Sequence, residues 1–249
     1  MVYQGSKNRL AKFLVPIIQK YIDDNHIKTY IEPMCGSCSI IEKIECENRI
    51  ASDINDELIA LLRYVKSDSS FSIAPDICSF EHYSDVRENR KVNGNKYSKE
   101  YTALIGFCAS YGGRYFDGGY ARADKRDMYK ERVQNLKEDA SLLQDIKLDY
   151  CDYTKYSDYK NCLFYFDPPY KGTKQYSKQS MNYDSFYDFL RKLSENNIVL
   201  VSEYNMPDNF TCIWQKERKV LQKSDRVAGE NAVEKLFIAE NNRYKSNHY

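Results

Sequence analysis

At 249 residues the chain has room for one large domain, or for one core carrying an inserted lobe. Lysine and arginine (37) nearly balance aspartate and glutamate (36), which excludes a whole-protein polycation but not an enzyme with a local basic face. Ten glycines and six prolines are too few for a collagenous or low-complexity chain.

Lys7 to Asp24 carries Leu10, Phe13, Leu14, Ile17, Ile18 and Tyr21 at helical spacing, with Ser6 placed as the N-cap. Thr29-Tyr30-Ile31 predicts a short strand that runs into Glu32-Pro33-Met34-Cys35-Gly36-Ser37-Cys38-Ser39. A second helix is expected to follow, carrying Ile40, Ile41 and Ile44. Arg49 to Ser52 reads as the next strand, ending at Asp53, and Asn55 to Val65 returns to helix. Strand, glycine turn, helix, strand and acidic residue make a βαβ unit, hence an α/β fold with a parallel sheet. Further on, Ile146–Asp149, Leu163–Phe166 and Ile198–Val201 read as strands, and Ser185 to Glu195 as a helix. Cys212–Trp214 and Glu234–Ile238 suggest more sheet or a closing hairpin.

Residues 66–144 differ in character. Apolar periodicity weakens, and glycines gather in Tyr111-Gly112-Gly113-Arg114-Tyr115-Phe116-Asp117-Gly118-Gly119. Ser84 to Glu138 holds 12 Lys/Arg against 8 Asp/Glu, so this stretch concentrates the positive charge. The division expected is a catalytic domain of residues 1–65 and 145–249 around an inserted lobe of residues 66–144. Apolar stretches such as Ile198–Val201 fall far short of the ~20 residues that cross a bilayer. The start, Met1-Val2-Tyr3-Gln4-Gly5-Ser6-Lys7, lacks a secretory leader's basic-then-apolar layout. The expectation is a cytoplasmic protein without membrane contact, its eight cysteines reduced.

The chemistry concentrates at strand ends. Gly36 lets the backbone approach a ligand, and the start of the expected helix would favour an anionic group. Asp53, at the end of the next strand, is placed to bind two ribose hydroxyls. One glycine where a dinucleotide fold has three disfavours NAD. Cys35 and Cys38 form a CxxC, but no second pair completes a zinc site, and a thioredoxin-like redox domain would be smaller. Three histidines leave histidine or metal catalysis poorly supported. The strongest signal is Leu163-Phe164-Tyr165-Phe166-Asp167-Pro168-Pro169-Tyr170. An apolar strand delivers a carboxylate, a rigid pair of prolines and an aromatic ring. An exocyclic amine on a planar ring needs two acceptors and a stacking surface, and this tetrapeptide offers both.

These motifs, in this order, resemble the Dam-type (D12 class) DNA adenine-N6 methyltransferases along nearly the whole chain. The resemblance implies a Rossmann-like S-adenosylmethionine-dependent methyltransferase sheet with an inserted, mainly helical target-recognition lobe. It implies methyl transfer from S-adenosyl-L-methionine to N6 of an adenine flipped out of double-stranded DNA, without a metal. The catalytic motif is Asp167, Pro168, Pro169 and Tyr170. The cofactor would be held by Tyr3 and Lys7 of the N-terminal motif, and by Glu32, Pro33, Gly36, Ser37, Cys38 and Ser39 of the first loop. Asp53 and Ile54 would hold the ribose, Asp152 and Tyr153 the cofactor adenine, and Asp167 would border both substrates; Asp149 competes with Asp152. Cys38 stands where the family often has a second glycine. Ser202-Glu203-Tyr204-Asn205-Met206-Pro207 and Val233-Glu234-Lys235-Leu236 are similar to family segments as well. In the lobe, Arg114 is expected to contact a base edge or else to pack against nearby tyrosines. Arg122, Lys125, Arg126 and Lys130, with Arg132, are expected to track phosphates. The expected partner is duplex DNA, with the enzyme a monomer or a dimer on it. Methylation of RNA adenine or protein glutamine, or DNA binding without catalysis, are the alternatives; the first two usually carry Asn-Pro-Pro-Tyr.

Overall fold

The computed structural model describes residues 1–68, 70–123, 126–171, 181–218 and 232–240. Its framework is a mixed seven-stranded sheet in the order β3-β2-β1-β4-β5-β7-β6. The strands are β1 (Thr29–Glu32), β2 (Asn48–Asp53), β3 (Ile146–Tyr150), β4 (Leu163–Phe166), β5 (Ile198–Glu203), β6 (Phe210–Arg218) and β7 (Ala232–Ala239). The first five run parallel. β7 runs antiparallel to both neighbours, slotted between β5 and β6. Every strand expected from sequence is present, with β5 and the final hairpin longer than the apolar runs alone indicated.

Period-two alternation sorts the strand residues onto two faces. Tyr30, Leu163, Tyr165, Leu200, Leu236 and Ile238 join a large apolar cluster with α1 (Asn8–Asp24) and α2 (Asp56–Ser67). Ile31, Phe164, Phe166, Val199, Val201 and Phe237 join a second cluster against α6 (Tyr183–Ser194), through Phe186, Leu190 and Leu193. Because both faces are covered, the central strands read as unbroken hydrophobic runs.

Two expectations need correction. The second helix does not form: only a single 3₁₀ turn, Ile41–Lys43, lies between β1 and β2. Arg49 Nη1 donates to the Ile41 and Ile44 carbonyls at 3.4 and 3.2 Å, replacing the amides a helix would supply. Ile40, Ile41 and Ile44 are buried all the same, which is why the segment mimics a helix in sequence. No helix N-terminus follows the Gly36 loop, so the argument for an anion site there falls. Ser6 is also not the N-cap. Lys7 occupies that position without a capping bond, while Ser6 Oγ accepts from the Asn8 amide at 3.3 Å and from Ser37 Oγ at 3.2 Å.

Residues 66–144 contain α3 (Phe80–Lys91), α4 (Lys99–Cys108) and α5 (Met128–Asp139). The weak periodicity of α4 has a simple cause: Thr102 through Cys108 are all buried, so the helix has no solvent stripe to create a pattern. Leu104, Ile105, Phe107, Val133 and Leu136 share the large apolar cluster of the sheet rather than forming a separate core. The glycine-rich loop closes on itself through a Ser110–Tyr120 bridge and a Tyr111 amide to Gly119 carbonyl bond of 2.8 Å. Among the described residues no helix is long and apolar enough to cross a membrane, and no group of three or more His, Cys, Asp or Glu could hold a metal ion.

Candidate active site

The chain order of the sheet reverses between β1 and β4, and ligands of open α/β sheets bind outside the carboxyl ends of the strands at that point. Glu32 ends β1, Asp53 ends β2 and Asp167 follows β4, so the topology brings these three carboxylates to the carboxyl end of the parallel strands beside that point.

The loop after β1 is pinned to β2 twice. The Cys35 amide donates to the Ser52 carbonyl at 2.9 Å, and the Gly36 amide to Asp53 Oδ2 at 3.1 Å. Asp53 Oδ1 accepts from the Asn55 amide at 2.9 Å, and Asn55 Oδ1 caps α2. Gly36 has φ +47°, and a Cβ there would stand 3.0 Å from the Tyr3 ring. Tyr3, itself packed on Phe107 at 5.5 Å, thus closes one side of the loop. Cys38 also takes a left-handed φ of +60°, the conformation that glycine adopts without cost. Pro33, Ser37 and Cys38 are buried, and Ser39 is half-buried. The hydrogen bond to Cys38 and burial push the Cys35 thiol well above its usual range, the reverse of an activated redox thiol.

Asp53 is half-buried, and burial raises its pKa against three backbone amides that lower it. Beside it the Ile54 side chain is 54% exposed, an apolar surface without cover. The Cys151 amide donates to the Asp53 carbonyl at 3.3 Å, bringing the loop of Asp152 and Tyr153 next to Asp53. Asp152 Oδ1 accepts from the Thr154 amide and hydroxyl at 2.9 and 2.6 Å. Tyr153 lies edge-on to Phe186 and Phe189. Asp149 instead pairs with Lys147 and Lys155 at 3.2 and 3.4 Å.

Glu32, 3% exposed, accepts from the Tyr30 hydroxyl at 2.6 Å. Burial drives its pKa up to about 8, and the Asp167 charge adds to the rise. Asp167 faces Lys7, whose ammonium stands 2.9 Å from Oδ1 and 4.6 Å from the centre of the Tyr170 ring. Burial raises the Asp167 pKa, and the Lys7 ammonium opposes that rise. Pro168 is buried; Pro169 is exposed, its carbonyl accepting from the Tyr183 hydroxyl at 2.6 Å. Tyr170 is buried, donates to Glu234 Oε2 at 2.7 Å and meets Tyr204 edge-on at 4.5 Å. Glu203 accepts from the Lys171 and Tyr204 amides at 3.1 and 2.7 Å, and burial pushes its pKa up to about 7.

Sequence reasoning gave no role to Glu203 or Glu234. Their segments were visible as family-like stretches, but nothing local says that β5 and β7 bring both carboxylates to Asp167. Lys7, expected at the cofactor, has its ammonium on Asp167, the residue expected to border both substrates.

In the glycine-rich loop Arg114 is half-buried. Tyr115 packs on Phe107 at 4.4 Å and donates to Glu57, which Arg90 also binds through Nε at 3.1 and 2.8 Å. Arg122 lies over Phe80 at 4.9 Å, Arg126 pairs with Glu131, and Lys130 is exposed at the start of α5. Lys125 lies outside the described residues. Arg132 is not on a phosphate-tracking face. It is 7% exposed, and Nη1 donates to the Cys108 and Ser110 carbonyls at 3.0 and 2.6 Å, closing the C-terminal end of α4.

Residues 3–198 match the family of D12 class N6 adenine-specific DNA methyltransferases. The type II methyltransferase M.MjaIII of Methanocaldococcus jannaschii is 27% identical over 245 residues, covering 82% of this chain and 83% of its own. Among solved structures, an rRNA methylase from Streptococcus thermophilus aligns over 91% of this chain and 95% of its own, with 8% identity and a TM-score of 0.37. TrmN from Thermus thermophilus aligns over 90% of this chain and 48% of its own, with 8% identity and a TM-score of 0.36. With the family matched over residues 3–198 and Asp167-Pro168-Pro169-Tyr170 following β4, the chain belongs to the D12 class N6 adenine-specific DNA methyltransferases, which methylate DNA with S-adenosylmethionine as donor.

Proposed function

We propose that the enzyme methylates N6 of an adenine rotated out of double-stranded DNA, and that the crevice between β1 and β4 is where it does so. The observation that carries this reading is the position of the Lys7 ammonium. A nitrogen bearing hydrogens rests 2.9 Å from the Asp167 carboxylate and 4.6 Å from the Tyr170 ring centre. An exocyclic amine needs the same acceptor and the same aromatic neighbour. The amine of a stacked base pair cannot reach such a buried position, so the base must leave the helix at a cost of a few kcal/mol.

The residues fit the cofactor. Asp53 supplies an acceptor-only carboxylate for ribose hydroxyls, Ile54 offers bare apolar surface to a flat base, and Gly36 keeps the loop close to Tyr3. Glu32, Pro33, Ser37, Cys38 and Ser39 shape the rest of that loop, and Asp152 with Tyr153 would border the adenine. When bound, S-adenosylmethionine supplies a methyl group on a sulfonium, with the bonding pair departing on sulfur. Asp167 and the Pro168 carbonyl hold the two N6 hydrogens, so the nitrogen lone pair turns out of the ring plane. Burial makes Asp167 a better proton acceptor than an exposed carboxylate, so it can take the N6 proton once the new N–C bond has formed. Alignment in a closed crevice supplies much of the rate, up to ~7–11 kcal/mol in the best oriented cases. Histidine and metal have no part in this scheme.

Residues 66–144 form the target-recognition segment. Arg122, Lys125, Arg126 and Lys130 follow phosphates, and Arg114 reads a base edge at the closed glycine loop. The test is labelled methyl transfer to DNA, RNA and protein, followed by nucleoside mass spectrometry. N6-methyladenine in DNA is expected from the native enzyme and none from Asp167→Ala, with S-adenosylmethionine affinity retained. 4-Methylcytosine, or an active Asp167→Ala enzyme, overturns the reading.

A further inference from the structure

The Lys7 ammonium rests where the reading above seats the target amine, and an arriving adenine must displace it. Lys7 is 9% exposed and cannot simply return to water. A desolvated ammonium left without a counter-ion would carry a heavy penalty. Among the described residues a second carboxylate is already within reach: Glu234 Oε2 stands 3.9 Å from Lys7 Nζ, and Glu234 is 3% exposed. That oxygen also accepts the Tyr170 hydroxyl at 2.7 Å, which holds it still beside the catalytic motif.

We propose that Glu234 is a positioning residue that receives the Lys7 ammonium when the target amine takes over Asp167. The exchange needs a shift of only about 1 Å to bring 3.9 Å down to a charge-assisted contact. Asp167 gives up a cation and gains a neutral donor, while Glu234 gains the cation, so the crevice keeps its total charge. The sheet explains the placement. β7 runs against β5, with Glu203 opposite Lys235, so the start of β7 lies at the catalytic ends of the parallel strands. The inference rests on the proposed seating of adenine, and its test separates the two.

The experiment uses the full chain, labelled S-adenosylmethionine and DNA from a host lacking adenine methylation. Glu234→Gln keeps the size and an oxygen for Tyr170 but removes the charge; Glu234→Asp keeps the charge and shortens the arm. If Glu234 acts by holding Lys7, Asp should outperform Gln. The Gln variant should lose about tenfold or more in kcat/KM for DNA, the order expected when a hydrogen bond between charged groups goes. S-Adenosylmethionine affinity should stay within about twofold of the native value, since the lost contact is on the amine side. If Glu234 merely fills space and accepts from Tyr170, the closer isostere should win. Gln equal to or better than Asp, with both variants melting cooperatively, overturns the inference. Native enzyme that fails to methylate adenine, or an active Asp167→Ala, overturns the seating itself; Gln at or above Asp with those controls intact overturns only the role of Glu234.

Discussion

Replacing Glu32 by glutamine should change how stability depends on pH. The carboxyl is buried against Tyr30, and its pKa rises from 4.5 to about 8. In the unfolded chain the group ionises near 4.5, whereas in the fold it stays protonated until about pH 8. Between those values the folded state holds a proton that the unfolded chain has released, so raising the pH favours unfolding. The slope is about 1.4 kcal/mol per pH unit for one group. The contribution is complete below the unfolded pKa and lost as pH rises through the folded one, about 5 kcal/mol in all. Glu203, raised to about 7 by burial, tilts the native enzyme the same way, so the difference between native and variant isolates Glu32. Urea unfolding without cofactor from about pH 5.5 to 7.5 should show the native enzyme losing about 3 kcal/mol more than Glu32→Gln. That corresponds to about 6–12 °C in Tm for a chain of this size. Parallel pH profiles for the two proteins would refute the reasoning, because they would mean that Glu32 is ionised in the fold.

Asp53→Ala removes the acceptor proposed for the ribose and the bond that holds Gly36, so calorimetry should show S-adenosylmethionine binding weakened by about tenfold or more; unchanged affinity moves the nucleoside site elsewhere. Arg132→Ala leaves the Cys108 and Ser110 carbonyls without their donor and should cost about 2–4 kcal/mol in urea unfolding, whereas Arg126→Ala, at the surface, should leave the urea midpoint unchanged. Lys130→Ala should weaken binding to every DNA sequence and lower the salt slope by about one, whereas Arg114→Ala should relax one position of the methylated motif. A lowered activity with an unaltered motif would place the specificity contact away from Arg114.

What could be read in the residues was what local chemistry controls. Leu163–Phe166 and Ile198–Val201 are apolar on both faces because both faces are covered, and such runs identify central strands unaided. Asp167 was visible because it follows such a strand, and Asp53 because it ends the strand after the glycine loop. The missing helix at Ile40–Ile44 was not legible: its burial pattern is right, but Arg49 takes the carbonyls from the next strand. Arg132 looked like one more cation in a basic segment, and only the packing of α5 against the end of α4 turns it inward. Glu203 and Glu234 escaped notice for a related reason. A carboxylate in a strand says nothing of its partner when that partner lies on the far side of the chain.

The antiparallel strand also bears on when the proposed site can be complete. Among the described residues β6 pairs only with β7, and β7 carries the oxygen that accepts from the Tyr170 hydroxyl. A chain whose earlier strands have folded therefore still lacks both the pairing of β6 and the Tyr170–Glu234 hydrogen bond. Docking of β7 removes both defects in one event, and it joins parts of the chain that are far apart in sequence, the kind of contact that forms late. During synthesis, at roughly 5–20 residues per second, the parallel half can fold well before β7 emerges. Until then the Tyr170–Glu234 bond is absent, so the proposed site stays incomplete until the last strand has been made.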